Sequence, residues 1–344
     1  MRKMVLGVVI GMAVLALGSQ AAWACGGLVA PNGAVRLLKT TTLAAYHDGV
    51  EHYVTSFQFA GGGSKFGSIV PLPGVPTSVS KGGSWTLQRL EQEVSPPILH
   101  AGVSFDSAAK RATAEVILQT KVDALDITVL KGGGDAVVAW VRAHGFAVSP
   151  DAPAALDFYA RRSPVFLAAT YDPAAAQARG LTVGDGTPVQ ISIPIANPWV
   201  PLRILALGKD RDDVVQADVF LLTDQRPTVL TGPGVNLARS EPAPPSLLSD
   251  LRSDSHMAWM PDSGWLSYLK VQTTAGQLRY DMAIDASGVG HPSAVAAGLL
   301  SDRLARVLPN DTWTGLDVGG AAAFATMVFV FVQLMRRRSR RLVY

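Results

Sequence analysis

The sequence predicts an α+β fold with strands in the majority, and three observations carry that reading. Short runs of alternating apolar residues recur along the chain, as half-buried strands require. A few segments instead place apolar residues at helical spacing. Asp-Gly, Gly and Pro clusters separate these segments as turns. A mixed or antiparallel sheet with a few packed helices is therefore expected. Hydrophobic residues are 48% of the 344 and charged residues 17%, below the roughly 25% charge of an average soluble domain. This composition excludes a disordered chain. Long apolar runs occur only at the two ends, which excludes a multi-span transporter.

Arg2 and Lys3 open the chain, residues 4–17 are apolar, and Ala22-Trp23-Ala24 is a small-x-small pattern. Together they read as an export signal over 1–24, cut between Ala24 and Cys25. An uncleaved anchor is the competing reading, against which the apolar segment is short for a span. Residues 43–59 predict a β-hairpin turning at Asp48-Gly49, because both residues accept positive φ. After a glycine-rich turn come Phe66 and the proline-rich run 69–76. Proline has no N–H for a sheet ladder, so that run is expected as extended chain at an edge or surface. A short helix is expected over 85–93, and strands over 115–119 and 126–130.

The clearest helix is expected to take Asp135 as its N-cap. Val137, Trp140, Val141 and His144 follow at i, i+3, i+4 and i+7, and Gly145 stops it. A further helix is expected over 154–161, and strands over 165–171, 189–195, 200–207 and 214–222. Prolines 227, 233, 242, 244 and 245 mark an irregular excursion or subdomain boundary. Beyond it, 266–273 and 277–284 predict a second hairpin, with Leu278, Tyr280, Met282 and Ile284 alternating. Residues 293–308 read as an amphipathic helix ended by Pro309.

The last apolar run extends from Val318 to Met335 and carries no charge. Its length corresponds to about 27 Å of helix at 1.5 Å per residue, enough to cross the hydrocarbon core. Arg336, Arg337, Arg338, Arg340 and Arg341 follow at once, and basic residues beside a span stay cytoplasmic. The expected organisation is a signal peptide (1–24), an extracytoplasmic α+β domain (25–230) and a proline-rich excursion (231–247). A hairpin-plus-helix subregion (248–314), a transmembrane helix (315–335) and a basic cytoplasmic tail (336–344) complete it. The expected location is the bacterial cytoplasmic membrane, single-pass, with the bulk outside.

That topology changes the meaning of the charge. Of the 30 basic residues behind the net +3, seven lie in the signal or the tail. The exported part then carries 23 basic against 27 acidic residues, about −4. A nucleic-acid partner needs a basic surface patch, so none is expected. Cys25 is the only cysteine, which precludes an intramolecular disulfide. It would be the first mature residue, and it is left as lipidated, free or paired between chains.

A set of residues in order carries a resemblance: Cys25-Gly26-Gly27, Asp48-Gly49-Val50-Glu51, Phe66 and Val70-Pro71-Leu72-Pro73. Leu130, Val138-Ala139-Trp140-Val141, His144-Gly145-Phe146, Tyr159, Phe166 and Val200-Pro201-Leu202-Arg203 continue it. Over residues 24–207 the chain resembles the bacterial family known only as domain of unknown function 2330. The resemblance implies an exported location, fold kinship and a terminal span, and it assigns no catalytic residue.

Motifs for chemistry are scarce. His47 and His52 flank the hairpin turn and would share one face, where Asp48 or Glu51 could join them at a metal. Such a site needs three or four ligands, so a solvated hairpin tip is the plainer reading. His144 suits a helix C-terminus, where positive charge is favoured. Ser287 with His291, and the cluster Asp210, Asp212 and Asp213, have no specific spacing and read as polar turns. Trp259 and Trp265 beside Met257 and Met260 are either core or a contact surface.

Two functions follow. One is a membrane-anchored binding or interaction module of the envelope, contacting an envelope protein partner. The alternative is an envelope hydrolase or metal-dependent enzyme whose residues converge only in three dimensions; no cofactor is specified.

Overall fold

The computed structural model describes residues 27–30, 35–60, 65–94, 115–178, 180 and 186–299. The cleavage site Ala24–Cys25 and the span from Val318 to Met335 with Arg336, Arg337 and Arg338 lie outside the described residues. Among the described residues no helix is long and apolar enough to cross a membrane.

The hairpin is the centre of the larger sheet. β2 (Arg36–His47) and β3 (Val50–Ala60) pair through Ala45↔His52 and His47↔Val50. Asp48 and Gly49 connect them at φ 49 and 76, the conformation that the right-handed twist of a two-residue hairpin demands. β9 (Val189–Pro194) and the edge strand β5 (Ser78–Lys81) extend the sheet beyond β3. On the other side β11 (Val214–Thr223) joins β2 in parallel, followed antiparallel by β14 (Trp265–Thr274) and β13 (Val235–Pro242). The sheet is mixed, with seven strands.

A five-stranded antiparallel sheet lies against it, in the order β1 (Leu28–Val29), β4 (Phe66–Leu72), β8 (Val165–Tyr171), β7 (Leu125–Lys131), β6 (Glu115–Val122). Every residue of β4 is buried, so both faces of the sheet are covered at that strand, whereas the edge strand β6 is largely exposed. Phe66, Ser68 and Val70 face Phe57, Phe59 and Ile191 of the larger sheet across an apolar cavity of about 40 Å³. The same core takes in α2 (Gly134–Ala143) and α3 (Ala152–Ala160) through Val137, Trp140, Leu156 and Tyr159. The opposite face of the larger sheet carries a second core. There Leu43, Val54, Phe220 and Leu266 meet Leu87 and Leu90 of α1 (Thr86–Val94) and Leu247, Leu248 and Leu251 of α5 (Pro245–Ser253). A short α4 (Pro173–Gln177) follows β8. The fold is thus α+β and strand-rich.

Several expectations are corrected. The proline-rich run is extended with an open edge, as expected, but its first half is buried. Residues 69–72 lie in β4, where Pro71 escapes the ladder problem because the two-residue β1 pairs only with Gly67 and Ser68, while residues 73–75 are half-buried or exposed. Gly133, not Asp135, holds the cap position of α2, and Asp135 lies in the first turn, where a negative charge suits the helix dipole. The strand expected over 200–207 shrinks to β10 (Trp199–Val200) and a 3₁₀ turn, Arg203–Ala206. Residues 226–246 carry β12 (Thr228–Leu230) and β13, edge strands that tolerate the prolines at their ends. The second hairpin does not form: β14 stays in the large sheet, and β15 (Met282–Asp285) pairs with β10 and β12. Residues 294–298 form turns, and the rest of the amphipathic helix expected over 293–308 reaches outside the described residues.

Gly134 is required by packing. A Cβ there would lie 2.6 Å from the backbone nitrogen of Asp157, so α2 and α3 approach only because the side chain is absent. Gly134→Ala is expected to destabilise by about 1–3 kcal/mol through overpacking, measured by urea unfolding; an unchanged midpoint would disprove the close approach.

Candidate functional site

The two hairpin histidines share a face, as the register requires, but their partners differ. His47 Nδ1 is 2.6 Å from Asp224 Oδ1, and its Nε2 is 3.4 Å from Asp48. The bond to Asp224 raises the His47 pKa. His52 instead stacks on Trp259, with ring centroids 4.0 Å apart, and lies 3.2 Å from Ser192 Oγ. Burial, aided by the charge of His47, lowers its pKa. Glu51 points to the other face, and among the described residues no group of three or more His, Cys, Asp and Glu could hold a metal ion.

The remaining candidates take structural places. His144 caps α2, its Nδ1 2.8 Å from the Trp140 carbonyl and its ring stacked on that indole. Ser287 donates to Asp285, and Asp213 accepts from the Asp210 N–H. Met257 and Met260 are in the second core, Trp259 packs against it, and Trp265 Nε1 donates to Ser240.

A cleft of about 270 Å³ with a mixed polar and apolar lining lies beside the N-terminal half of α1. Thr41, Ser56 and Gln58 of the large sheet form one wall, and Trp85, Gln88 and Glu91 another. Lys81 and Asp123, 2.6 Å apart, also line it. The position of α1 is set from far away in the sequence. Asp254 accepts the N–H groups of Ser84, Trp85 and Thr86 at 2.8–3.1 Å, and the Thr86 hydroxyl at 2.8 Å. Burial opposes its charge, but these bonds prevail and hold its pKa below the ordinary carboxylate value. Glu91 accepts from Thr41 and Lys39, and Lys39 also reaches Asp218 at 2.5 Å. Tyr268 donates to the same Asp218 at 2.7 Å. Burial works against the Lys39 charge, and the bonds to Asp218 and Glu91 outweigh it, so its pKa rises. The cleft is therefore built on a rigid polar frame.

Sequence reasoning missed two buried polar features. Asp281 is fully buried and accepts from Tyr159 Oη (2.8 Å), Arg162 Nη2 (2.5 Å), and the N–H groups of Leu202 (2.8 Å) and Arg203 (2.9 Å). Tyr159 Oη in turn accepts from the Ile204 N–H, and Arg162 donates to the Ala296 carbonyl. This network draws residues 202–204 into a turn and explains why no strand forms there. Glu51 is also buried, yet neither carboxyl oxygen has a hydrogen-bond partner among the described residues. Burial pushes its pKa up to about 8. The spacing of Tyr159, Pro201 and Asp281 gave no signal of the first feature. The alternation of β3 did place Glu51 on the face shared with Tyr53 and Phe59, which was a signal of the second.

The family model described as an uncharacterized protein conserved in bacteria (DUF2330) matches residues 19–229. None of the curated proteins matches the chain. Among solved structures, baculovirus P35 is similar at 11% identity and a TM-score of 0.40, over 73% of this chain and 97% of that one. The caspase-8/P35 complex gives 10% identity and a TM-score of 0.36, over 72% of this chain and 96% of that one. Likenesses this distant carry neither fold nor function.

Proposed function

The chain belongs to the DUF2330 family of uncharacterized bacterial proteins, and on that premise we propose that it is a membrane-anchored binding module of the envelope. The signal over 1–24 directs export, the apolar run from Val318 to Met335 anchors it, and the arginines hold the tail in the cytoplasm. The cleft beside α1 is the contact site for its envelope partner or ligand. One observation carries this reading: a concave wall of amide, hydroxyl and carboxylate groups around Trp85 rests on an immobilised sheet and helix. Few, fixed polar groups in a concavity are how proteins orient a ligand.

The test is native mass spectrometry of the full chain released from membranes in an uncharged detergent, with the denatured mass alongside. A mass excess that disappears on denaturation, and is lost in a Gln58→Ala/Gln88→Ala double variant, is the expected result. Equal native and denatured masses in the wild type, or an excess indifferent to the double variant, would sink the assignment of the cleft. Protease added outside intact spheroplasts is expected to digest the bulk and spare the tail.

A further inference from the structure

A second cleft, sharing no lining residue with the first, has a different chemistry. It measures about 330 Å³ and opens among the start of α3, the turn Arg203–Ala206 and residues 275–279. Arg203, Lys209, Arg211 and Arg279 line it, and Asp151 is the single acidic lining residue. Asp151 is already engaged, accepting the Gly208 N–H at 3.1 Å. Among the described residues none of the four basic side chains forms an ion pair.

The backbone forces these cations together. The Gly276 N–H donates to the Arg211 carbonyl at 2.8 Å and the Ala275 N–H to the Asp213 carbonyl at 2.9 Å, so the turns 208–213 and 275–279 are stitched side by side. Arg279 Nε donates to the Gly276 carbonyl, within its own turn. Arg203 is held by the Asp281 network through its N–H, and its guanidinium lies 3.9 Å from the Phe158 ring. Asp281 attracts the Arg203 charge from nearby, but its ion pair is with Arg162, not with Arg203. Asp210, Asp212 and Asp213 belong to the stitched turn but do not line the cleft. Like charges held near one another repel, and a bound anion would relieve that cost. The concentration is the more telling because the part between signal and tail is net acidic.

We propose that this cleft binds a phosphate-bearing ligand, with Arg203, Lys209, Arg211 and Arg279 as its donors. The guanidinium fork matches phosphate oxygens in pairs, and Lys adds a point charge. Such a group comes either as a free phosphate or as a phospholipid headgroup.

Isothermal titration of the full chain in uncharged detergent, using inorganic phosphate and glycerol phosphate as separate probes of similar charge, tests this. Saturable binding of either probe is expected, weakened by about tenfold or more in Arg211→Gln/Arg279→Gln, as losing charged hydrogen bonds implies. Tighter binding of inorganic phosphate assigns a free phosphate, and tighter glycerol phosphate binding assigns a headgroup. Both exchanged side chains are exposed, so folding is expected to persist, and Lys209→Gln provides an independent single change at the same cleft. Absence of saturable binding with both probes, or binding unchanged in all these variants, overturns the proposal.

Discussion

Asp281→Ala is expected to lower stability by about 3–5 kcal/mol, the range found when one partner of a buried ion pair is removed. The carboxylate is fully buried and accepts four hydrogen bonds, from Tyr159, Arg162 and two backbone N–H groups. Burial pushes its pKa up, against the pull of the Arg162 guanidinium beside it. Without it, Arg162 keeps a charge at 7% exposure with no counter-ion, and the turn after Pro201 loses its anchor. The loss therefore exceeds that of one hydrogen bond, about 1 kcal/mol. Asp281→Asn preserves shape but not charge, so its loss is expected to be intermediate. Removing the orphaned cation as well, in Asp281→Asn/Arg162→Met, is expected to recover part of it. Urea unfolding followed by tryptophan fluorescence measures all three. A loss below about 1 kcal/mol for Asp281→Ala would mean that the carboxylate does not neutralise Arg162.

The same network shows where local reading stops. The hairpin at Asp48-Gly49 was legible because two residues specify both the turn and the register. The strands β6, β7, β8 and β11 were legible from their apolar patterns. Residues 200–207 have the apolar content of a strand, but Asp281 takes the N–H groups of Leu202 and Arg203 and imposes a turn. Asp254 likewise caps α1 across 168 positions of sequence, a bond that no capping motif announces. Pro71 takes the edge position that its missing N–H predicts, but the layer covering it was not legible, because proline excludes a ladder bond and not burial. The basic cleft was hidden for a related reason. Arg203, Arg211 and Arg279 are scattered along the chain, and only the stitched turns make them one surface.

Glu51 yields the second large effect, and its sign is opposite to that of ordinary carboxylates. Its folded pKa is about 8, against 4.5 in the unfolded chain. Below pH 4.5 the carboxyl is protonated in both states, and folding carries no penalty for it. Between those values the unfolded chain releases a proton that the folded chain keeps, so stability falls as pH rises. At 1.36 kcal/mol per pKa unit the loss is roughly 5 kcal/mol by pH 8, where the folded carboxyl also ionises. Unfolding free energies at pH 5, 6.5 and 8 are expected to trace this decline in the wild type. Glu51→Gln cannot titrate and is expected to flatten it, although its buried amide is as poorly partnered as the acid. His47 and His52 titrate in the same window, with pKa values moved in opposite directions, but they are present in both proteins and cancel in the difference. Glu51→Leu removes the polar group altogether and is expected to exceed the wild type in stability at pH 8, since an unpaired buried charge costs more than an apolar side chain of similar volume. Parallel curves for wild type and Glu51→Gln would mean that the carboxyl is solvated, and the buried, unpartnered geometry would then be wrong.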